Sequence, residues 1–345
     1  MPGESLPALY TKVVRKILTE TLHVSKGDSV TVEAWDNGLT FARRALAGAR
    51  AMGCKAILIY EDEEAYVEGV RRAPKDSIGV MGKNEYGLLA GTDAYIFVPG
   101  QALGNYSKTL KPRERTESTR YNSSWYEAAA KAGLRGARLT FGYVGRDLAR
   151  LLGKRIEDIV GGQLKAALVD YDEIGGYARK MSPLLVDGAS VKLSSGSNEV
   201  KFTLKGGLEI EDGVVDDEDR RTGNNMAYVP PGYVTKEIDP RSADGRVTLA
   251  NTLTKFGVIP HVELEFKDGM LVHWKSEDRA MIRKLFEDVP PQERRLTLVG
   301  IGLNPVLGYG YAQDRFVRGA VTVAGFGFTG LVSKGRLNVD SSIIP

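Results

Sequence analysis

The sequence predicts an α/β protein with an N-terminal doubly wound parallel α/β domain followed by a mainly antiparallel β-rich domain. Three observations carry this expectation. Residues 1–183 alternate helix-period and strand-period segments in βα units. After Pro183 the pattern changes to short strands separated by hairpin turns. The length, 345 residues, exceeds that of one typical domain. The expected domains are 1–183 and 184–345.

The elements follow in order. Residues 9–22 place Val13, Val14, Ile17 and Leu22 on one face of an amphipathic helix. The turn Lys26-Gly27-Asp28 leads into a strand at 29–34. Residues 39–52 form an Ala-rich helix that Gly53 ends. Residues 56–60 and 94–98 are short apolar strands of the parallel-sheet type, with a helix at 63–72 between them. A helix over 126–132 precedes the strand 137–144. Helical sequence then runs from Arg146 to Arg179 and reads as two helices broken at Gly161-Gly162. In the second half, Ser194–Asn198 and Lys267-Asp268-Gly269 are hairpin turns. Strands are expected at 190–193, 200–204, 247–253, 262–266, 271–274, 296–301 and 320–326, with one helix at 277–286 capped by Ser276.

Composition narrows the function. Lys+Arg 47 against Asp+Glu 44 gives +3 at pH 7, too weak a field to argue for a nucleic-acid partner. No apolar run reaches the ~20 residues of a membrane helix, so a cytoplasmic protein without a membrane partner is expected. The single cysteine, Cys54, excludes an intrachain disulfide and a Cys-based zinc cluster. There are three histidines, His23, His261 and His273. No G-x-G-x-x-G follows the first strand, so the dinucleotide fingerprint is absent. The segment 100–121 carries Lys108, Lys111, Arg113, Arg115 and Arg120 and reads as a solvated loop of mixed charge. His261, Glu263 and Glu265 alternate on one face, but Val262, Leu264 and Phe266 between them are core residues, so the trio reads as a wet face. Asp216–Asp219 lacks EF-hand spacing and reads as a solvated loop. His23 and His273 lie among apolar residues and read as structural.

Four motifs occur in a shared order. Val24-Ser25-Lys26-Gly27-Asp28-Ser29-Val30 is similar to V-x-x-G-D-x-V, and Asn225-Met226 through Pro231-Gly232-Tyr233-Val234-Thr235 to N-x-P-x-G-E-V-F-T. Gly300-Ile301-Gly302-Leu303-Asn304-Pro305 is similar to A-L-G-x-N-P, and Gly335–Asp340 ends where H-x-D closes a family sequence. Together these resemble the M29 metallo-aminopeptidases of the aminopeptidase T/S type. The resemblance implies the two-domain fold, a two-fold homodimer, and a site in which two metal ions are held by glutamates, histidines, a tyrosine and an aspartate. A related branch contains iron-dependent ring-opening dioxygenases using two histidines and an aspartate. The absence of histidine beyond His273 argues against that branch.

The matched positions depart from the family set. Its two glutamates fall on Tyr233 and Leu298, one histidine on Val321 or Thr322, a tyrosine on Phe328 and the closing histidine on Asn338. Asp340 alone keeps a ligand type. Two divalent cations need several carboxylates and imidazoles, so no metal and no other cofactor is expected. The sequence reading is a divergent enzyme acting on a small polar or aromatic, amide- or peptide-like substrate in an interdomain cavity. Asp340 and Tyr233 are its catalytic pair, and Asn338, Asn304, Thr235 and Arg315 bind substrate. The alternatives are a metal-free binding, regulatory or assembly protein, and an active metallo-aminopeptidase with non-standard ligands.

Overall fold

Apolar strands bury both faces best when helices cover the sheet, and the first compact unit, Met1–Leu168 with Gly213–Pro231, is built that way. The structure is a computed structural model, and it describes residues 5–74, 76–99, 110–254, 257–287, 289–310, 313–339 and 342–344. Five parallel strands lie in the order β2 (Lys55–Glu61), β1 (Ser29–Trp35), β3 (Ala94–Val98), β4 (Arg135–Leu139) and Met226–Val229. The last of these follows a long passage through the second unit and returns to pair with β4. On one face, Val30, Val32, Ile96 and Ala137 pack against α1 (Leu6–Lys16), α2 (Leu39–Ala51) and a later helix, Ile156–Ala167. On the other, Tyr95 packs with Leu89 of α4 (Lys83–Ala90) and Ala129 of α5 (Pro112–Ala132). The helix α3 (Glu63–Arg72) starts at Asp62, whose carboxylate accepts the Ala65 N–H at 2.7 Å.

Local chemistry accounts for three differences from the expected elements. Arg113, Arg115 and Arg120 belong to the helix α5, not to a loop. Pro112 opens it and Glu114 accepts the Lys111 N–H at 2.6 Å. Lys108 lies outside the described residues. The stretch from Arg146 holds three helices, α6 (Arg146–Leu152), α7 (Ile156–Ala167) and α8 (Tyr171–Met181). Gly161-Gly162 sits inside α7, and the first break falls at Gly153, in the left-handed region at φ 61°. Asp216 caps a short helix, α9 (Asp217–Thr222), by accepting the Asp219 N–H at 2.9 Å.

One row across the parallel sheet is polar and aromatic beyond Ile59 at its edge: Glu33, Phe97, Arg138 and Tyr228 stand side by side. The Glu33 carboxylate accepts from the Tyr95 hydroxyl and from Trp35 Nε1 at 3.3 Å. Arg138 donates to the Tyr126 hydroxyl at 2.8 Å and lies 5.3 Å from the Phe97 ring centre. Burial pushes the Glu33 carboxyl above the ordinary range, and the hydrogen bonds from Tyr95 and Trp35 oppose it without cancelling it.

The second unit, Val169–Asp212 with Gly232–Pro345, is dominated by one antiparallel sheet. Its strands are β5 (Ser190–Ser195), β6 (Asn198–Glu211), β8 (Tyr233–Ile238), β9 (Asp244–Thr254), β10 (Gly257–Lys267), β11 (Met270–Ser276), β12 (Leu298–Gly302), β13 (Val321–Gly325), β14 (Phe328–Val332), β15 (Gly335–Val339) and β16 (Ser342–Ile344), with β7 being Met226–Val229 of the first unit. The order is β11-β10-β9-β14-β13-β12-β8-β6-β5-β15-β16, and β9 also pairs with β6. That extra pairing closes β6, β8, β12, β13, β14 and β9 into a ring. One face of these strands, including Leu204, Val234, Ile238, Val299, Ile301 and Val323, is buried as a core. Lys236 is on this face too, with Nζ 2.6 Å from Asp187. The hairpins β5–β6 and β10–β11 turn where the sequence places them. The helix α10 (Arg279–Glu287) is capped by Asp278, whose carboxylate accepts the Met281 N–H at 2.9 Å, rather than by Ser276, whose side chain is buried at the end of β11.

Two predictions follow from the first unit. A Cβ at Gly142 would fall on the Pro99 carbonyl oxygen, whereas one at Gly69 in α3 meets nothing. Gly142→Ala should lower stability by roughly 1–3 kcal/mol, and Gly69→Ala should be neutral or raise it by up to about 1 kcal/mol, both read from urea unfolding midpoints. Because folding raises the Glu33 pKa, the native state holds that proton more tightly than the unfolded chain. Its contribution is complete below the unfolded value near pH ~4 and is lost as pH rises through the folded value. Glu33→Gln should therefore flatten the decline of stability over that window.

Candidate functional site

The site is built on a strand with no side chains at two alternate positions. In β12, Gly300 stands opposite Thr235 of β8 and Thr322 of β13, and Gly302 stands opposite Tyr233. A Cβ at Gly300 would collide with the Tyr233 hydroxyl and would lie 2.6 Å from Thr322 Oγ1. The phenol of Tyr233 therefore lies across the main chain of Gly300, and its hydroxyl is hydrogen-bonded to that of Thr322. At Gly302 a Cβ would collide with the Val317 carbonyl oxygen. The missing side chain lets the segment 314–317 cross over the end of β12.

That crossing brings two further groups to Tyr233. The Phe316 ring lies 5.3 Å away at 45°, and the Arg315 guanidinium lies 5.6 Å from the Tyr233 ring centre and 4.8 Å from that of Phe316. Stacking of this kind holds a guanidinium without neutralising it. Burial pushes the Tyr233 phenol above its usual range, while the Thr322 hydrogen bond and the Arg315 charge pull the other way and do not reverse the direction. Tyr233 is therefore a protonated hydroxyl at neutral pH, able to donate or accept.

The sequence-derived residues separate into groups. Tyr233 and Arg315 come together, and Thr235 lies half-buried two residues along the Tyr233 face. Leu298 shares that face, opposite Glu237 and Ala324. Of the pair Val321 and Thr322, the register selects Thr322. Asn304 is fully buried, and its side-chain oxygen accepts the N–H groups of Val306 and Leu307, both at 3.0 Å. Its main chain bonds Phe316 O at 2.8 Å and Arg318 N at 2.9 Å. Asn304 thus clasps the segment that carries Arg315. Asn338 is on β15, opposite Lys192 and Ile343, three strands from β8 in the sheet order. Phe328 is buried against Phe326, with ring centres 4.8 Å apart. Asp340 lies outside the described residues.

A dinuclear metal centre needs several carboxylates and imidazoles, and this donor set does not supply them. The two hydroxyls at matched positions bond each other, and leucine offers no donor. Among the described residues no group of three or more His, Cys, Asp or Glu converges. These residues do not fit two divalent cations. His261, at positive φ, is exposed on the outward side of β10 with Glu263 and Glu265, while Val262, Leu264 and Phe266 are buried. Glu265 instead pairs with Arg246 at 3.0 Å, and Glu263 accepts from Asn198 at 3.1 Å. His23 and His273 are exposed rather than packed among apolar residues. The sequence reading missed Thr322 as the partner of Tyr233, and Phe316 as its neighbour. The available signal was the Gly300-x-Gly302 spacing, which clears one face of a strand.

No protein-family model matches the sequence, and no curated protein matches it. Solved structures do. Wild-type AmpT from Thermus thermophilus, an M29 aminopeptidase, is similar with a TM-score of 0.62 at 14% identity, covering 93% of this chain and 87% of its own. The 2,5-dihydroxypyridine dioxygenase from Pseudomonas putida KT2440 is similar with a TM-score of 0.62 at 12% identity, covering 99% of this chain and 96% of its own. The chain has the M29-like fold that its motifs imply, a parallel α/β part with a large antiparallel β part.

The close approach at Gly300 sets a prediction. Gly300→Ala should cost roughly 1–3 kcal/mol in urea unfolding, because the methyl group displaces the phenol. In a double-mutant cycle with Tyr233→Ala, most of that cost should vanish, leaving a coupling of about 1 kcal/mol or more.

Proposed function

We propose that this protein is a divergent enzyme on the M29-like scaffold that takes a small polar or aromatic, amide-like substrate at the Tyr233 face of the second unit, without a dinuclear metal centre. The observation that carries this reading is the Tyr233 phenol, bonded to Thr322, stacked beneath Arg315 and lying over Gly300, which pairs with Thr235. Two divalent cations bring four positive charges. A face presenting hydroxyls and a guanidinium adds to that charge instead of answering it. The same groups suit a neutral carbonyl or a carboxylate, which accepts from a phenol and pairs with a guanidinium.

In this reading Tyr233 donates to the substrate carbonyl, Arg315 and Thr235 orient its polar end, and Asn304 positions Arg315 through the loop it clasps. Asp340 supplies the general base, and Asn338 a further amide contact. A protonated donor beside a carbonyl lowers the cost of charge developing on oxygen, and a carboxylate base activates the attacking water. A second reading, a metal-free binding protein, is favoured by one observation. The groups gathered around Tyr233 include donors and a cation, but no base or activated nucleophile among the described residues. The homodimer and the cytoplasmic setting implied by the resemblance and composition belong to the same proposal. Light scattering should give twice the 37.6 kDa chain mass.

The test is hydrolysis of a panel of aminoacyl and aromatic amides in the presence of EDTA. Turnover should survive chelation and fall about 10²-fold or more in Asp340→Asn, with Tyr233→Phe raising KM and lowering kcat. Activity abolished by EDTA and restored by zinc or cobalt would overturn the proposal. Saturable binding of the same amides without turnover would select the binding reading.

A further inference from the structure

Open α/β sheets bind ligands beyond the carboxyl ends of their strands, and the first unit gathers hydrogen-bond donors there that the Tyr233 reading does not use. Phe97, Arg138 and Tyr228 are the penultimate residues of β3, β4 and β7 and stand side by side on one face. Tyr143, from the turn after β4, and Tyr126, from α5, complete the group. All five side chains are half-buried, so the cluster borders solvent.

Hydrogen bonding leaves this cluster with protons and no acceptor. Arg138 donates to the Tyr143 hydroxyl from Nε at 3.1 Å and from Nη2, and to the Tyr126 hydroxyl from Nη1 at 2.8 Å. A guanidinium carries five N–H groups and accepts nothing. Two N–H groups therefore remain, one on each terminal nitrogen. Both phenols accept from Arg138, so each turns its own O–H elsewhere. Among the described residues neither proton has an acceptor, and no carboxylate pairs with the guanidinium. The ring centres of Phe97, Tyr143 and Tyr228 lie 5.3, 5.7 and 5.9 Å from the guanidinium carbon. Aromatic rings hold a cation in place without neutralising it. Glu33, the one carboxyl of the row, lies on the far side of Phe97, two strand spacings or about 10 Å from Arg138. Its oxygens already accept from Tyr95 and Trp35.

Two N–H groups, two O–H groups and one positive charge define the partner. A carboxylate brings one negative charge and about four lone-pair sites on two oxygens, which matches both counts. A neutral carbonyl leaves the charge unanswered, and a phosphate brings up to about two charges against one guanidinium. We propose that this cluster binds the carboxylate of a small organic acid, held by the Arg138 guanidinium and the Tyr126 and Tyr143 hydroxyls. The site is independent of the Tyr233 reading, since every residue invoked belongs to the first unit.

Calorimetric titration of the full chain with propionate, propionamide and inorganic phosphate tests this. It is run in parallel on Arg315→Met, which removes the guanidinium of the Tyr233 face. Propionate should bind saturably in both chains, at least about tenfold more tightly than propionamide and more tightly than phosphate. Tyr126→Phe and Tyr143→Phe keep the rings and remove the hydroxyls, so each should weaken propionate binding about fivefold or more. Arg138→Met should abolish it while circular dichroism stays unchanged. Should Arg138→Met fail to fold, the two phenylalanine variants decide. No saturable propionate binding, equal affinity for propionamide, tighter binding of phosphate, or wild-type affinity in both phenylalanine variants would each overturn the proposal. So would loss of propionate binding in Arg315→Met, which would place the anion at the Tyr233 face instead.

Discussion

At several strand ends and turns this protein packs main chain directly on main chain, or under an aromatic ring, and only glycine permits that approach. Gly142 lets the turn after β4 close on Pro99, and Gly38 lets the turn after β1 close on Val98. In the second unit Gly300 accepts the Tyr233 phenol and Gly302 accepts the loop that delivers Arg315 and Phe316. A methyl group at any of these points has nowhere to go, because the opposing atoms are backbone or a ring already packed on both sides. The glycine excess, 40 residues in 345, has this physical use at the sites that matter most.

The alternation of side chains along a strand explains how the scaffold can carry different chemistry on one face. Val234 and Ile238 point into the core of the closed ring, and Tyr233 and Thr235 point away from it. The residues at 233, 298 and 322 can therefore change chemistry while the core face stays Val, Ile and Leu. A face that would have needed several anionic or imidazole donors instead holds a phenol, a threonine hydroxyl and leucine. Under the proposal made above, that face presents a guanidinium to an electron-rich partner instead of carboxylates to cations. The fold is retained because its stability rests on the opposite face.

The fold class was legible because it depends on local period. Helical stripes and apolar strands alternate to residue 183, and hairpin chemistry such as Ser194–Asn198 marks the antiparallel part. Only the C-terminal end of α5, residues 126–132, was legible, because its earlier turns are charged and its buried contacts rest on few residues, Trp125 and Ala129 among them. The short strand β7 was hidden for a different reason. Four residues carry little period, and their partner β4 lies about ninety positions earlier. At the site, Tyr233 and Leu298 were found through motif positions, and Arg315 through its place before β13. The Tyr233–Thr322 bond needs the register of β8, β12 and β13 together, which no single stretch encodes.

The central claim is that the Tyr233 face works by hydrogen bonding and charge rather than through a pair of metal ions. Metal content of the purified, dialysed protein, measured by plasma mass spectrometry after growth with zinc, cobalt and iron supplied, tests it most directly. The account predicts substoichiometric metal that falls further on dialysis and leaves the thermal unfolding transition unmoved. Close to two equivalents per chain, retained through dialysis and lost together with stability on chelation, would contradict it.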